Sequence, residues 1–233
     1  MAFPIKGFTT RWYMELWKNK ELMEALKNSL FVGLVSSLIA TLIGTLAAIS
    51  ITRFNYRLRG LFINISSLPL VIPYVVLAVC LLILFRSLGI HLNLWTVIIG
   101  YVVINIPYVI LIVAARLVSF PANIEEAAID LGANYFQALV KVILPNIFPS
   151  LLASFLSSFV TSFDEFSLGF FLTGTQNILP VYLYSQLRFP SRIPIALALA
   201  AILLIGSLII LVFAEWLRKV DFQYIWSIVQ NDK

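Results

Sequence analysis

Long apolar runs separated by short charged stretches set the pattern of this chain. Residues 29–52, SLFVGLVSSLIATLIGTLAAISIT, carry no charge and are long enough to cross a hydrocarbon layer of about 30 Å as a helix. Further runs at 61–85, 95–115 and 195–217, and one that begins after Pro145 as NIFPSLLASFLSSFVTSFDEFSLGFFL, bring the predicted spans to five. The expectation is all-α: a polytopic membrane helix bundle.

Each run carries its own detail. In the first, Ser29, Gly33, Ser37, Thr41 and Thr45 recur every fourth residue, with Ser36, Ala40, Gly44 and Ala48 in a neighbouring stripe. Small residues at that spacing let helix backbones approach closely in lipid. The stripe suits a contact with another subunit, and it equally suits packing within this bundle. Pro69 and Pro73 interrupt the second run, where a bend or an unwound turn is expected. Such a break can line a solute path or be a plain kink. The third run opens at Trp95 and holds a polar, kinked spot, Asn105-Ile106-Pro107, near mid-membrane. The run after Pro145 is rich in hydroxyls and carries Asp164 and Glu165 near its far end.

Residues 121–145, PANIEEAAIDLGANYFQALVKVILP, form a partly polar hairpin within a cytoplasmic segment at 119–145. Pro121 suits the first turn of a helix, and Glu125, Glu126 and Asp130 follow where the helix dipole favours anions. Gly132 stands where a helix can close on a left-handed residue. A second helical pattern starts at Asn134 and is expected to close at Pro145.

Arg53, Arg57 and Arg59 crowd the link between the first two runs and mark it as cytoplasmic. Five spans then place an external segment at 1–28, the membrane domain at 29–217 and a cytoplasmic tail at 218–233. Counting Lys and Arg does not decide the orientation, since eight fall on each side. The Arg-rich link and the hairpin decide it, because both fall on the same face.

Composition narrows the function. Mean hydropathy is +0.98 and charged residues are 12%, about half the usual soluble share. The net charge of +5 follows from Lys and Arg at membrane edges and does not imply nucleic acid. One cysteine, Cys80, excludes a disulfide framework, and the lone His91 sits in a short polar loop. No cleavable leader, nucleotide-binding loop or hydrolase motif is evident. If ATP drives this protein, another chain hydrolyses it.

Glu126-Ala127-Ala128, then Gly132, then Val142-Ile143-Leu144-Pro145, resembles the EAA loop of ABC-importer permeases, E-A-A-x3-G-x9-I-x-L-P, with Val142 where isoleucine is usual. The resemblance implies a type I ABC-importer permease whose hairpin docks into a groove on a cytoplasmic ATPase. Glu126, Ala127, Ala128, Asp130, Gly132, Leu144 and Pro145 become the candidate ATPase-coupling residues. Two alanines leave room for close helix-in-groove packing, and the acids offer polar contacts. GFTTRWY at 7–13, the Ser162-Phe163-Asp164-Glu165-Phe166 patch and FFLTG with LPVYLYSQLR are similar to the spermidine/putrescine permeases, second-subunit type. Related permeases for opines, iron or other small solutes share parts of these stretches.

That family implies import by alternating access in a bacterial inner membrane. The partners are a second homologous permease, two copies of an ATPase, an external solute-binding protein, a small cationic solute and membrane lipid. This chain binds no cofactor and no metal, because ATP and magnesium sit on the ATPase. Members usually carry one more span before residues 29–52, so that span is expected to be truncated or missing here.

Acids at membrane depth are costly and mark sites or pathways. Asp164 and Glu165 can attract an ammonium group, with Phe163 and Phe166 beside them for cation–π contact. Neighbouring helical residues diverge by about 100°, so Asp164 is expected to face the path and Glu165 to stand second at its mouth. Pro69, Pro73 and Asn105 complete the candidate path. The plainer alternative is an acid pair that ends its helix in water. The competing functions are a secondary carrier or channel, which needs no docking hairpin, and a membrane enzyme, which needs clustered His or carboxylates.

Overall fold

The computed structural model describes residues 10–231, with side-chain surroundings as far as Arg218 except at Ala122. Met1, the GFT of GFTTRWY and Lys233 lie outside the described residues. Every regular element among the described residues is helical.

A short amphipathic helix, α1 (Arg11–Lys18), leads through Asn19 into α2 (Lys20–Arg53). Asn19 joins three elements, because its side chain accepts from the Leu22 N–H at 3.2 Å and donates to the Tyr182 hydroxyl at 2.7 Å. With 34 residues, α2 is roughly 51 Å long at about 1.5 Å per residue. Lys20–Asn28 are therefore the first turns of the same helix that spans the membrane.

The run at 61–85 folds as two helices. α3 (Arg59–Val71) and α4 (Tyr74–Ser87) meet at 106°, at the break expected from Pro69 and Pro73. Pro73 has no N–H to continue the ladder, and it holds Ile72 extended at φ −78°, ψ 127°. The next helix, α5 (Leu94–Ser119), starts on a reciprocal cap between Asn93 and Thr96 and ends at extended Phe120 and Pro121.

The hairpin follows as α6 (Ala122–Asp130) and α7 (Tyr135–Ala138). Pro145 does not close the second arm. A wide π-turn at Leu139–Ile143 carries the chain from α7 into α8 (Leu144–Asp164), so Tyr135–Asp164 is one helical stretch of 30 residues. In that turn the Leu144 N–H reaches back five residues to the Leu139 carbonyl, and the looser winding absorbs the proline. The chain then breaks at Glu165 and Phe166, forms α9 (Ser167–Leu172) and α10 (Leu179–Gln186), and turns at Pro190–Arg192 into α11 (Ile193–Asn231). α11 runs well past 217 as a helix. Among the described residues, four helices are long and apolar enough to cross a membrane, or five if the sharply bent α3–α4 pair counts as one span.

α2, α5 and α8 form the centre. The small-residue stripe of α2 is buried inside this chain: a Cβ on Gly44 would stand 2.6 Å from the side chain of Val109, and one on Gly33 3.1 Å from that of Phe159. The stripe is packing within the bundle. Towards α9, Tyr101 and Ile104 of α5 pack with Ala78 and Phe85 of α4 and with Leu168 and Leu172 of α9. Towards the hairpin, Ala40, Ala48, Val109, Val113, Ile143 and Ile147 form a second core.

Candidate coupling hairpin and solute path

The hairpin turn is built from its own backbone. The Ala133 N–H bonds the Ala128 carbonyl at 3.1 Å and the Gly132 N–H bonds the Ile129 carbonyl at 2.9 Å. This closure needs a left-handed residue, and Gly132 supplies it with φ 89°. Asn134 starts the second arm by a reciprocal cap, accepting from the Gln137 N–H at 2.8 Å while Gln137 accepts from the Asn134 N–H at 3.0 Å. Glu126, Ala127 and Asp130 are exposed, Ala128 and Leu144 half-buried, and Pro145 exposed. Beside the acids, Leu131 is 89% exposed and Phe136 70%.

Two ties hold this hairpin to the bundle. The Arg53 guanidinium at the end of α2 stands 3.1 Å from the Glu125 carboxylate, both side chains mostly buried at 16% and 13% exposure. Next to it, the rings of Phe54 and Tyr135 meet edge to face at 5.5 Å. Further in, Arg116 donates to the Asn146 carbonyl at 3.2 Å, joining the ends of α5 and α8.

At the end of α8, the adjacent acids have opposite fates. Glu165 is 8% exposed. Its carboxylate accepts from the Ser167 N–H at 2.8 Å and the Leu168 N–H at 2.7 Å, so it caps the first turn of α9. Its carbonyl accepts from the Tyr101 hydroxyl at 2.7 Å. The expectation of Glu165 at the mouth of the path is thereby corrected: the break in the helix turns it inward. Asp164 faces an open groove of about 550 Å³ lined by Phe166, Tyr184 and the α11 residues Leu204, Ser207 and Leu208.

The other expected path residues do not gather around Asp164. Phe163 packs into the core formed by α1, α2, α10 and α11 and stacks on Phe159. Asn105 is fully buried and donates to Ser162 at 2.7 Å, which also receives Ser36 at 3.0 Å. Pro69 and Pro73 lie at the α3–α4 break. Just past that break Tyr74 opens α4 and packs against the core of α4, α5 and α9. The reading from sequence missed Tyr74, Tyr101, Tyr184 and Ser207. The pattern Glu165-Phe166-Ser167-Leu168 was nevertheless visible as an acid placed to cap a new helix.

Comparison with known proteins completes this picture. Residues 40–219 match the family described as binding-protein-dependent transport system inner membrane component. The chain is 35% identical over 215 residues to the spermidine/putrescine transport system permease protein PotC of Escherichia coli (strain K12), covering 92% of this chain and 81% of that protein. It is 33% identical over 220 residues to the putrescine transport system permease protein PotI of the same organism, covering 90% and 77%. Among solved structures, a bacterial alginate ABC transporter in complex with an alginate pentasaccharide-bound periplasmic protein aligns with TM-score 0.70 at 18% identity, covering 89% of this chain and 81% of that one. That likeness is one of fold.

Proposed function

The chain belongs to the family of binding-protein-dependent transport system inner membrane components, and on that premise we propose that its solute is a polyamine. It is a transport subunit of an ABC importer in the inner membrane, and a separate subunit hydrolyses ATP. The observation that carries the polyamine reading is the identity of about a third, along most of the chain, with permeases named for spermidine and putrescine. Its partners in this reading are a second homologous permease, two copies of an ATPase that hold ATP and magnesium, and an external solute-binding protein. Lipid surrounds the bundle, and nucleic acid has no part.

The hairpin is the proposed docking element. Glu126, Ala127, Ala128, Asp130 and the apolar Leu131 and Phe136 enter the ATPase groove, while Leu144 and Pro145 pass the movement into α8. Asp164 is the proposed solute contact. It is a carboxylate in an otherwise apolar groove with Phe166 and Tyr184 at its side, a combination that attracts ammonium groups by charge and by ring faces. Glu165 holds the helix break in shape and does not meet the solute.

The test is ATP-dependent uptake of spermidine and putrescine by the complete complex in vesicles. Asp164→Asn removes the charge and keeps the size. It is expected to lower uptake by about tenfold, equal to about 1.4 kcal/mol of lost attraction, with ATPase assembly unchanged. Native uptake in Asp164→Asn would remove the carboxylate from the path, and failure of the native complex to take up either amine would remove the polyamine.

A further inference from the structure

The hairpin has two arms, and they are fastened to the bundle differently. The second arm, from Tyr135, continues without interruption into α8. The first arm, α6, follows α5 only through the extended residues Phe120 and Pro121. An extended link transmits neither rotation nor push. The first arm packs on the second arm and on the π-turn at Leu139–Ile143, with Ile124 against the core on the hairpin side, and it reaches α2 through Arg53 and Glu125.

We propose that Arg53 and Glu125, with Phe54 and Tyr135, form a rigid joint that makes α2 move with the hairpin. This rests on the reading of the hairpin as the ATPase-docking element. Arg53 is the last residue of α2, and Glu125 lies in the first turn of α6. Each charge suits its own helix end, since a cation is favoured at a C-terminus and an anion at an N-terminus. They meet at 3.1 Å in a mostly buried setting. There the attraction is little screened, and the loss of one partner would strand the other. The Nε and Nη2 atoms of Arg53 are enclosed without an aligned hydrogen bond. The guanidinium therefore relies on the Glu125 charge. Phe54 and Tyr135 close the adjacent gap, ring on ring at 5.5 Å, and so attach the second arm to the same point.

The consequence is a closed mechanical loop. The hairpin drives α8 through the backbone and α2 through the joint. The two helices meet again inside the membrane, where Ser36 of α2 donates to Ser162 of α8 and Ser162 accepts from Asn105 of α5. Arg53 and Glu125 are positioning residues in this scheme, because each acts by holding the other.

Two experiments on the assembled complex in vesicles test the joint. In the first, Arg53→Gln and Glu125→Gln are each expected to keep ATPase assembly and ATP hydrolysis within about twofold, while solute imported per ATP falls by about tenfold. The exchange Arg53→Glu with Glu125→Arg is expected to restore most of that ratio. A native ratio in both single variants, or an exchanged pair as poor as the singles, overturns the joint. In the second, Phe54→Cys and Tyr135→Cys are combined in a Cys80→Ala background and bridged with a short bis-thiol reagent. A joint that moves as one body transports when bridged, and loss of uptake specific to the bridged protein overturns it. A native chain that binds no ATPase overturns the docking reading instead, so the two failures are told apart.

Discussion

The hairpin at 121–145 and the helix break at 164–167 both place acids near a helix end, yet they solve opposite problems. At the hairpin, Glu126 and Asp130 stay exposed and the turn is closed by backbone bonds alone around Gly132. At the break, Glu165 is drawn inside and spends its carboxylate on the N–H groups of Ser167 and Leu168. Water satisfies stray backbone groups at the first site, whereas lipid offers nothing at the second. An acid in water is free to recognise a partner. An acid in the bundle is first committed to the backbone around it, and only its neighbour Asp164 remains available.

This contrast breaks most easily at Glu165. Glu165→Ala leaves the first N–H groups of α9 without an acceptor inside the membrane and is expected to cost about 2–4 kcal/mol of stability. Thermal unfolding in detergent would show it as an early transition, and Asp164→Asn should melt like the native chain. Equal melting of both variants would mean that Glu165 carries no structural load. Gly132→Val comes next. The site has open space around it, so the strain is conformational, about 1–3 kcal/mol for a β-branched residue held at positive φ. Its expected outcome is normal membrane insertion with uptake lost, and native uptake would contradict the role given to the turn. The smallest effect is expected at Asn134→Ala, which removes a cap worth about 1 kcal/mol. Faster hydrogen exchange over residues 135–138 with little change in uptake would report it.

Much of this was legible in the sequence where a residue type has one physical use. Gly132 was expected to be left-handed and is, at φ 89°. The helical runs were legible because every lipid-crossing helix must be long and apolar. The break at Pro73 was legible as to place, but its 106° angle was not, since the angle depends on how α4 packs over α9. Pro145 misled because a proline reads as a stop, while the π-turn before it lets the helix continue. Asp164 and Glu165 were weighed as helical neighbours, and α8 ends between them. The Arg53–Glu125 pair had no local signal at all. The two residues are far apart in sequence, and only the folding of the hairpin against α2 brings them together.

The continuity of Tyr135–Asp164 makes that stretch a lever. Its 30 residues amount to roughly 45 Å of rod at about 1.5 Å per residue. A tilt of about 5° imposed at the hairpin would displace the far end by about 4 Å, about three-quarters of one helical turn's rise. At that far end stand Asp164, facing its groove, and the break capped by Glu165. In the proposed scheme, a small rotation of a partner docked on the hairpin would move that far end by several ångströms, with the bond between Ser162 and Asn105 lying close to the end that swings.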